Sequence, residues 1–465
     1  MDKICSFSLE ENQNYLEDKM NISKNYDILY HTIEISGRKA SYYFIDGFCK
    51  DDIMQKLTQY FMDMTCEIPQ NTDEFLKNEL PYTEIGKEKE WDKIITQILS
   101  GVVALFIDGY DSCIMIDART YPARDVSQPD KEKTLRGSKD SFVETIVFNN
   151  ALIRRRIRDV SLVIEMKQVG SISKTDVSIC YMKNKVNQYL LRKIEKKIDN
   201  IKVEALTVNQ ESLAECLYKR KWYNPFPKFR YTERPDVACA QLMEGNIVVF
   251  TDLSPFAMII PTALLDIMEE ADDYYFPPIT GTYLRFTRFL IAVLSYFITP
   301  AYLLFMMNPE WIPASFEFVK VKETINVPLV WQFLILELAI DGLRLAAVNT
   351  PNMLSTPLSI MAGLVLGEFS VKSGWFNAEV MLYMAFVAIA NYTHTNYEFG
   401  YAIKFMRILT LLLTYILGVT GFVLGLLFFV FALICNRTSS GRAYLYPIIP
   451  FNGKELYRRL LRKQL

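Results

Sequence analysis

The sequence predicts an α/β soluble N-terminal region of two small subdomains, followed by a C-terminal α-helical polytopic membrane domain. Three observations carry this. Up to about residue 285 the chain is mixed and charged, with no apolar run long enough to cross a bilayer. Beyond Arg285, Phe289–Met307 and Ile408–Cys435 are each long enough to span roughly 30 Å of hydrocarbon at about 1.5 Å of rise per residue. Between them, Val327–Val348 is apolar yet carries Glu337, Asp341 and Arg344. Ionisable groups are costly in a membrane segment, so they usually face a bundle interior or an aqueous path. A soluble region joined to such a bundle points to a sensor coupled to a conduit and argues against a soluble enzyme.

The elements follow in order. Tyr43-Phe44-Ile45-Asp46-Gly47 is echoed by Leu105-Phe106-Ile107-Asp108-Gly109, each an apolar strand ending in an Asp-Gly turn. Ile53, Leu57, Tyr60, Phe61 and Met64 then mark one face of a helix. The echo predicts two α/β subdomains, 1–90 and 91–284, linked through the polar stretch Pro69–Trp91. Arg119–Asp140 has no apolar period and is expected to be an exposed loop. Ser141–Arg158 resumes a helical pattern, Leu162–Val169 and Asp176–Tyr181 are strands, and a charged helix covers about Asn184–Asn200 with Val186, Leu190, Ile194 and Ile198 as its apolar stripe. A last strand pair, Ile247–Thr251 and Ala257–Ile260, leads to the membrane domain over 285–435 and a basic tail over 436–465.

In the membrane domain, five apolar segments lie at about 289–307, 327–348, 353–371, 378–394 and 408–435. The opening residues lack a basic and then apolar signal-peptide pattern, which predicts that the N-terminal region stays cytoplasmic. The tail carries seven basic residues against Glu455, leaving about −8 for the rest of a chain of net charge −2. By the positive-inside rule the tail is cytoplasmic too, so the number of crossings is even. Five segments break that parity. Either one is not a simple span, Val327–Val348 being the weakest, or the final run folds back. Four full spans plus one irregular element is the favoured arrangement.

Composition excludes several classes. The acidic soluble part argues against nucleic acid as the main partner. Eight scattered cysteines without a CxxC pair suit reduced core residues. With only His31 and His394, no histidine-rich metal site is available, and none is expected. There is no phosphate-binding glycine loop, and Cys239 has no nearby histidine, so neither a cofactor nor a catalytic residue is expected. Gly421 and Gly425 form a GxxxG that signals close helix packing.

The polar groups that remain are the candidates. Glu337 and Asp341 share a helix face, with Arg344 on an adjoining part of it. They are either a self-satisfied cluster holding the bundle together or, repeated around an oligomer, a lining for ions. Glu368 adds an acid in the next segment. Asn391 and Thr393 open a polar stretch through Glu398 that forms either a mouth or an interfacial loop. In the soluble part, Arg154, Arg155, Arg156 and Arg158 are read either as a phosphate-facing patch or as a solvated helix end or subunit surface. Arg230, Glu233, Arg234 and Asp236, around a rigid proline, suit an ion-pair network fixing a loop.

The stretches Ala151–Asp159 and Arg230–Asp236 with Glu244-Gly245, together with Phe106–Gly109, resemble the A subunits of GerA-type spore germinant receptors and equally the related stage V sporulation AF type. The short lead-in and Asp27–Lys56 lean to the AF type. The resemblance runs from about Gly37 to the tail. It implies a protein of the inner membrane of bacterial endospores, with its N-terminal domains and tail on the core side. It also implies a homo-oligomer, thought to be a pentamer, that releases ions in germination alongside other germination membrane proteins. The other function class is a non-conducting scaffold that recruits such proteins through its soluble domains.

Overall fold

The computed structural model describes residues 4–49, 51–65, 68–69, 71–78, 84–119, 132, 134, 136–219, 221–323, 325–350, 360, 362–394 and 396–461. They divide into two compact units: residues 1–220 with 229–261, and residues 221–228 with 262–465.

The first unit contains two antiparallel five-stranded sheets. Strands β1 (Ile28–Ile35), β2 (Arg38–Ile45), β3 (Ile85–Glu88), β4 (Val103–Ile107) and β5 (Cys113–Ile116) lie in the order β1-β2-β4-β5-β3. Period-2 alternation makes this sheet two-faced. Tyr43, Ile45, Ala104 and Phe106 pack under helices α1 (Leu9–Met20) and α4 (Trp91–Leu99). Ala40, Tyr42, Leu105 and Ile107 pack under α2 (Asp51–Asp63) and face Phe75 of α3 (Thr72–Asn78). Ile53, Leu57, Tyr60 and Phe61 form the apolar side of α2, and Met64, just past its end, packs in the same cluster.

The echoed motifs are therefore β2 and β4, hydrogen-bonded neighbours in one sheet with Ala40 opposite Ile107. That sheet continues to Ile116, past the subdomain boundary expected at residues 90 and 91. The similarity reflects two strands in matching environments, each closed by a glycine at φ +79° or +87°.

The second sheet is β6 (Leu162–Val169), β7 (Thr175–Met182), β8 (Arg230–Thr232), β9 (Ile247–Thr251) and β10 (Ala257–Ile260), in the order β6-β7-β9-β10-β8. One face carries α5 (Ile146–Arg156) and α8 (Pro235–Met243), and the other α6 (Gln188–Asp199) and α7 (Asn209–Leu217). Asn187 starts α6 by accepting the Leu190 N–H at 3.1 Å, and Leu190, Ile194 and Ile198 form its buried stripe. The four strands and the charged helix expected from the sequence are all present. Of the loop expected over Arg119–Asp140, residues 120–131, 133 and 135 lie outside the described residues. The described part is not simply exposed, because Glu132 and Thr134 bond to the Arg234 motif. Seven described cysteines are free, with Cys5, Cys113, Cys180 and Cys239 in the core.

The second unit is helical. Short α9 (Leu264–Met268) and α10 (Asp272–Tyr275) precede α11 (Pro278–Met307), α12 (Leu329–Asn349), α13 (Ala378–Tyr392), α14 (Tyr397–Leu417), α15 (Val419–Cys435) and α16 (Gly453–Leu460). By length and composition, α11 and α14 are long and apolar enough to cross a membrane, whereas α13 and α15 are shorter apolar helices. Much of the expected segment at 353–371 falls outside the described residues. Its end forms a π-helical turn, Gly363–Phe369.

Contacts give the direction of each helix. Tyr302 of α11 meets Phe333 of α12, while Ser295 of α11 accepts from Arg407 of α14 on the level of Glu337, so α11 and α12 are antiparallel. Gln332 bonds Asn377 and Arg344 stacks on Tyr392, so α12 and α13 are parallel. The apolar run expected as one span from Ile408 to Cys435 is instead two helices. Gly418, at φ +59° and ψ −132°, reverses the chain, and α15 packs back along α14. This is the fold-back that parity allowed. Among the described residues, α11, α12, α13, α14 and α15 run along the bundle, and the final apolar run supplies two of them.

Both flanks of the bundle lie at one end. Arg285 and Arg288 at the start of α11 pair with Asp273. Arg285 also donates to the Arg459 carbonyl at 2.7 Å, and Arg459 pairs with Asp266. Beyond α15, the Leu264 N–H donates to the Tyr444 carbonyl at 2.9 Å.

Candidate functional site

A helix puts residues three and four apart on one face. On α12 that spacing joins Glu337 to Asp341, and on α14 it joins Lys404 to Arg407. Because α12 and α14 are antiparallel, the acidic and basic faces meet in register. Arg407 donates Nε to Glu337 Oε1 at 3.0 Å, donates Nη2 to the same oxygen, and sends Nη1 to the Ser295 carbonyl of α11 at 2.8 Å. Lys404 Nζ lies 3.3 Å from Glu337 Oε2, bonds the Glu337 backbone carbonyl, and pairs with Asp341. Two acids and two bases cancel. Glu337, Lys404 and Arg407 have side chains only 6, 6 and 1% exposed, but that of Asp341 is 31% exposed. Asp341 therefore links the neutral core of the cluster to the outside of the bundle.

The other membrane-domain candidates do not join this cluster. Arg344 turns to the rings of Tyr392, Tyr397 and Tyr401, with centroids 5.8, 4.6 and 5.3 Å away. Glu368 pairs with Lys372 at 2.5 Å on an exposed surface. The Thr393 hydroxyl donates to the Ala390 carbonyl at 2.8 Å, closing the end of α13. Asn391 Oδ1 and His394 Nε2 are buried without a hydrogen-bond partner among the described residues. A cavity of about 410 Å³ beside α12 is lined by Leu336, Ile340, Met381 and Met384, an apolar surface unsuited to ions.

The arginine motifs have different roles. Arg154 is fully buried, so a solvated helix end or subunit surface does not describe it. It donates to both Asp27 oxygens at 2.8 and 3.2 Å and to the Leu162 carbonyl at 3.2 Å, joining the chain ahead of β1 to the second sheet. Arg155, Arg156 and Arg158 are exposed; Arg156 reaches Asp140 at 3.2 Å, and Arg158 donates to the Arg155 carbonyl. Arg230 and Glu233 are buried at β8. Arg234 grips Asp236 through two nitrogens, at 3.1 and 2.6 Å, and also binds Thr134 and the Ser138 carbonyl, an ion-pair network that fixes the preceding loop. Nearby, Glu132 accepts from the Thr232 hydroxyl, and burial pushes its carboxyl above the ordinary range. Among the described residues no group of His, Cys, Asp and Glu could hold a metal.

Asp27, Glu132, Lys404 and Arg407 were not singled out from the sequence. The three-residue spacing of Lys404 and Arg407, complementary to Glu337 and Asp341, is the signal that could have found the last two.

The family described as Bacillus/Clostridium GerA spore germination protein matches residues 14–465. The chain is 35% identical to stage V sporulation protein AF of Bacillus subtilis (strain 168) over 97% of this chain and 92% of that protein. It is 29% identical to the uncharacterized membrane protein YfkQ of the same organism, over 89% of this chain and 81% of that one. Among solved structures it is similar to the N-terminal domain of the A subunit of the Bacillus megaterium spore germinant receptor GerK3, with 23% identity and a TM-score of 0.40, covering 56% of this chain and 97% of that one.

Proposed function

The chain belongs to the GerA family of spore germination proteins, and we propose that it is a membrane subunit of a homo-oligomer that forms or gates an ion-release conduit during germination. The observation that carries this is the charge tetrad of the buried Glu337, Lys404 and Arg407 with the partly exposed Asp341, within apolar helices. Charge is kept inside a membrane bundle only where it is paired, and usually where it serves a path. The cavity beside α12 is apolar, so the path lies between copies of the chain, where Asp341 and Glu368 are exposed enough to line it. Rings of acidic side chains favour cations.

In this reading residues 285–435 form the transmembrane domain in the inner spore membrane. The strand-rich unit and the basic tail after 436 face the core. Five copies is the number implied by the family resemblance, and other germination membrane proteins are its partners. Asp341→Asn tests the assignment. Purified protein in planar bilayers should conduct cations, and the variant should alter that conductance while its insertion and yield are unchanged. A silent wild-type protein, or an unaltered variant, overturns it. The net neutrality of the tetrad favours the second reading, a non-conducting scaffold. In that case bilayers stay silent while the strand-rich unit captures other germination membrane proteins.

A further inference from the structure

The strand-rich unit holds a strongly basic concavity. Helix α6 carries Arg192, Lys193, Lys196 and Lys197, so like charges recur four residues apart along it. Such pairs destabilise a helix. The sequence retains them all the same and adds Lys202 just beyond. These five cations line a cavity of about 720 Å³ between α6, the chain after it and the end of α7, with Ile201 and Val203 as apolar wall. Among the described residues, no carboxylate lines it. Asp199, on the same helix, pairs at 2.6 Å with Lys167, where a second concavity also receives Glu195. Arg192 and Lys196 stand on the ridge between the two.

Inside the basic cavity, Lys197 donates to the Leu217 carbonyl that ends α7, which pins its ammonium group toward the wall. Burial, and then the neighbouring Lys193 charge, pull the Lys197 ammonium below its ordinary range. The cavity thus concentrates positive charge, and among the described residues none of its five cations forms a direct ion pair. Tyr189, 74% exposed, offers a flat ring at the rim.

We propose that this cavity binds a small soluble polyphosphate, an anion carrying three or more phosphoryl charges. Lysine ammonium groups act as movable point charges and suit the many outward oxygens of a phosphate chain, whereas a lone planar carboxylate is better held by an arginine fork. The volume falls in the range of small-molecule sites, and the cavity is open on one side to solvent. Tyr189 adds a stacking surface for an attached base. The site lies wholly within the strand-rich unit and does not rest on the ion-conduit reading.

Calorimetric titration of the full chain in neutral-detergent micelles tests it, with sodium triphosphate and ATP as probes. Both should bind saturably at low ionic strength and more weakly as salt is added. Lys193→Gln/Lys196→Gln should lose about tenfold or more in affinity. A control of equal charge, Lys56→Gln/Lys77→Gln, removes exposed lysines of α2 and α3 and should bind like the wild type. ATP binding more tightly than triphosphate supports the role of Tyr189. The proposal is overturned by the absence of saturable binding to the wild type, by equal affinities in the two variants, or by binding only to vesicles of acidic phospholipid.

Discussion

At the scale of single residues, Glu337 is the charge on which most depends. Its carboxylate is the counter-ion of an Arg407 side chain that is 1% exposed. Removing one member of a buried pair strands the other, at a cost of about 3–5 kcal/mol, whereas replacing both by apolar groups is often neutral. Glu337→Gln is therefore expected to lower the thermal midpoint in detergent sharply, Glu337→Leu/Arg407→Met to recover most of it, and Asp341→Asn to cost about 1 kcal/mol or less, because Asp341 is partly exposed and Lys404 keeps its pairing with Glu337. Equal losses for Glu337→Gln and the double variant would contradict the pairing. The same logic holds for Asp27 and Arg154: Asp27→Leu should destabilise the strand-rich unit by about 3 kcal/mol, and Asp27→Leu/Arg154→Met by much less. Lys228 provides a pH-dependent case. It is buried, donates to the Arg437 carbonyl at 2.8 Å, and burial pulls its ammonium down to about 8. A lysine with a depressed folded pKa is destabilising while it is charged. Stability should therefore rise as pH increases from about 8 toward the ordinary lysine value near 10.4, where the unfolded chain also loses its proton. That rise should be absent from melts of Lys228→Met.

At the scale of elements, the hairpin of α14 and α15 rests on absent side chains. A Cβ on Gly421 would stand 1.9 Å from the Leu413 carbonyl oxygen, and one on Gly425 would stand 2.7 Å from the Thr410 side chain. Backbone cannot yield as a flexible side-chain end can, so Gly421→Val should part the helices at a cost of about 3 kcal/mol. Limited proteolysis of the variant should then cut near Gly418, where the wild type resists. The GxxxG spacing made this packing legible in the sequence, but the turn was not. No charged residue interrupts the run from Ile408 to Cys435, and Gly418 differs from an ordinary transmembrane glycine only in its backbone angles. Four strands of the second sheet were legible because apolar runs and turn residues alternate there, whereas β8 was hidden by the charges of Arg230, Glu233 and Arg234. The pairing of β2 with β4 was not, since an echo of pattern does not say whether two strands share a sheet. Glu337 and Asp341 stood out as charges within an apolar segment, whereas Lys404 and Arg407, just ahead of the longest apolar run, looked like ordinary flanking residues.

At the scale of the whole molecule, the helical unit constrains its own topology. Arg285, Asp273, Asp266, Tyr444 and Arg459 gather the entry to α11 and the chain beyond α15 at one end of the bundle. The link between α11 and α12, which contains Glu317, lies at the other end, because Tyr302 near the end of α11 meets Phe333 near the start of α12. If the bundle crosses the bilayer as built, Glu317 and Arg442 are on opposite faces of the membrane, and the positive charge after Asn436 directs Arg442 to the core side. Both residues are exposed, so each tolerates replacement by cysteine in a cysteine-free background. A membrane-impermeant maleimide added to intact cells should label Glu317→Cys at once and Arg442→Cys only after permeabilisation. Labelling of both from the same face would refute this arrangement, however well the individual helices were packed. Labelling of Arg442→Cys alone would keep the arrangement and invert it, moving the strand-rich unit and its basic cavity to the outer face. The tetrad of α12 and α14 would be unaffected by that inversion, since its charges are satisfied within the bundle. Conduction through a path lined by Asp341 would also survive it, and what would change is the compartment from which the conduit receives its signal.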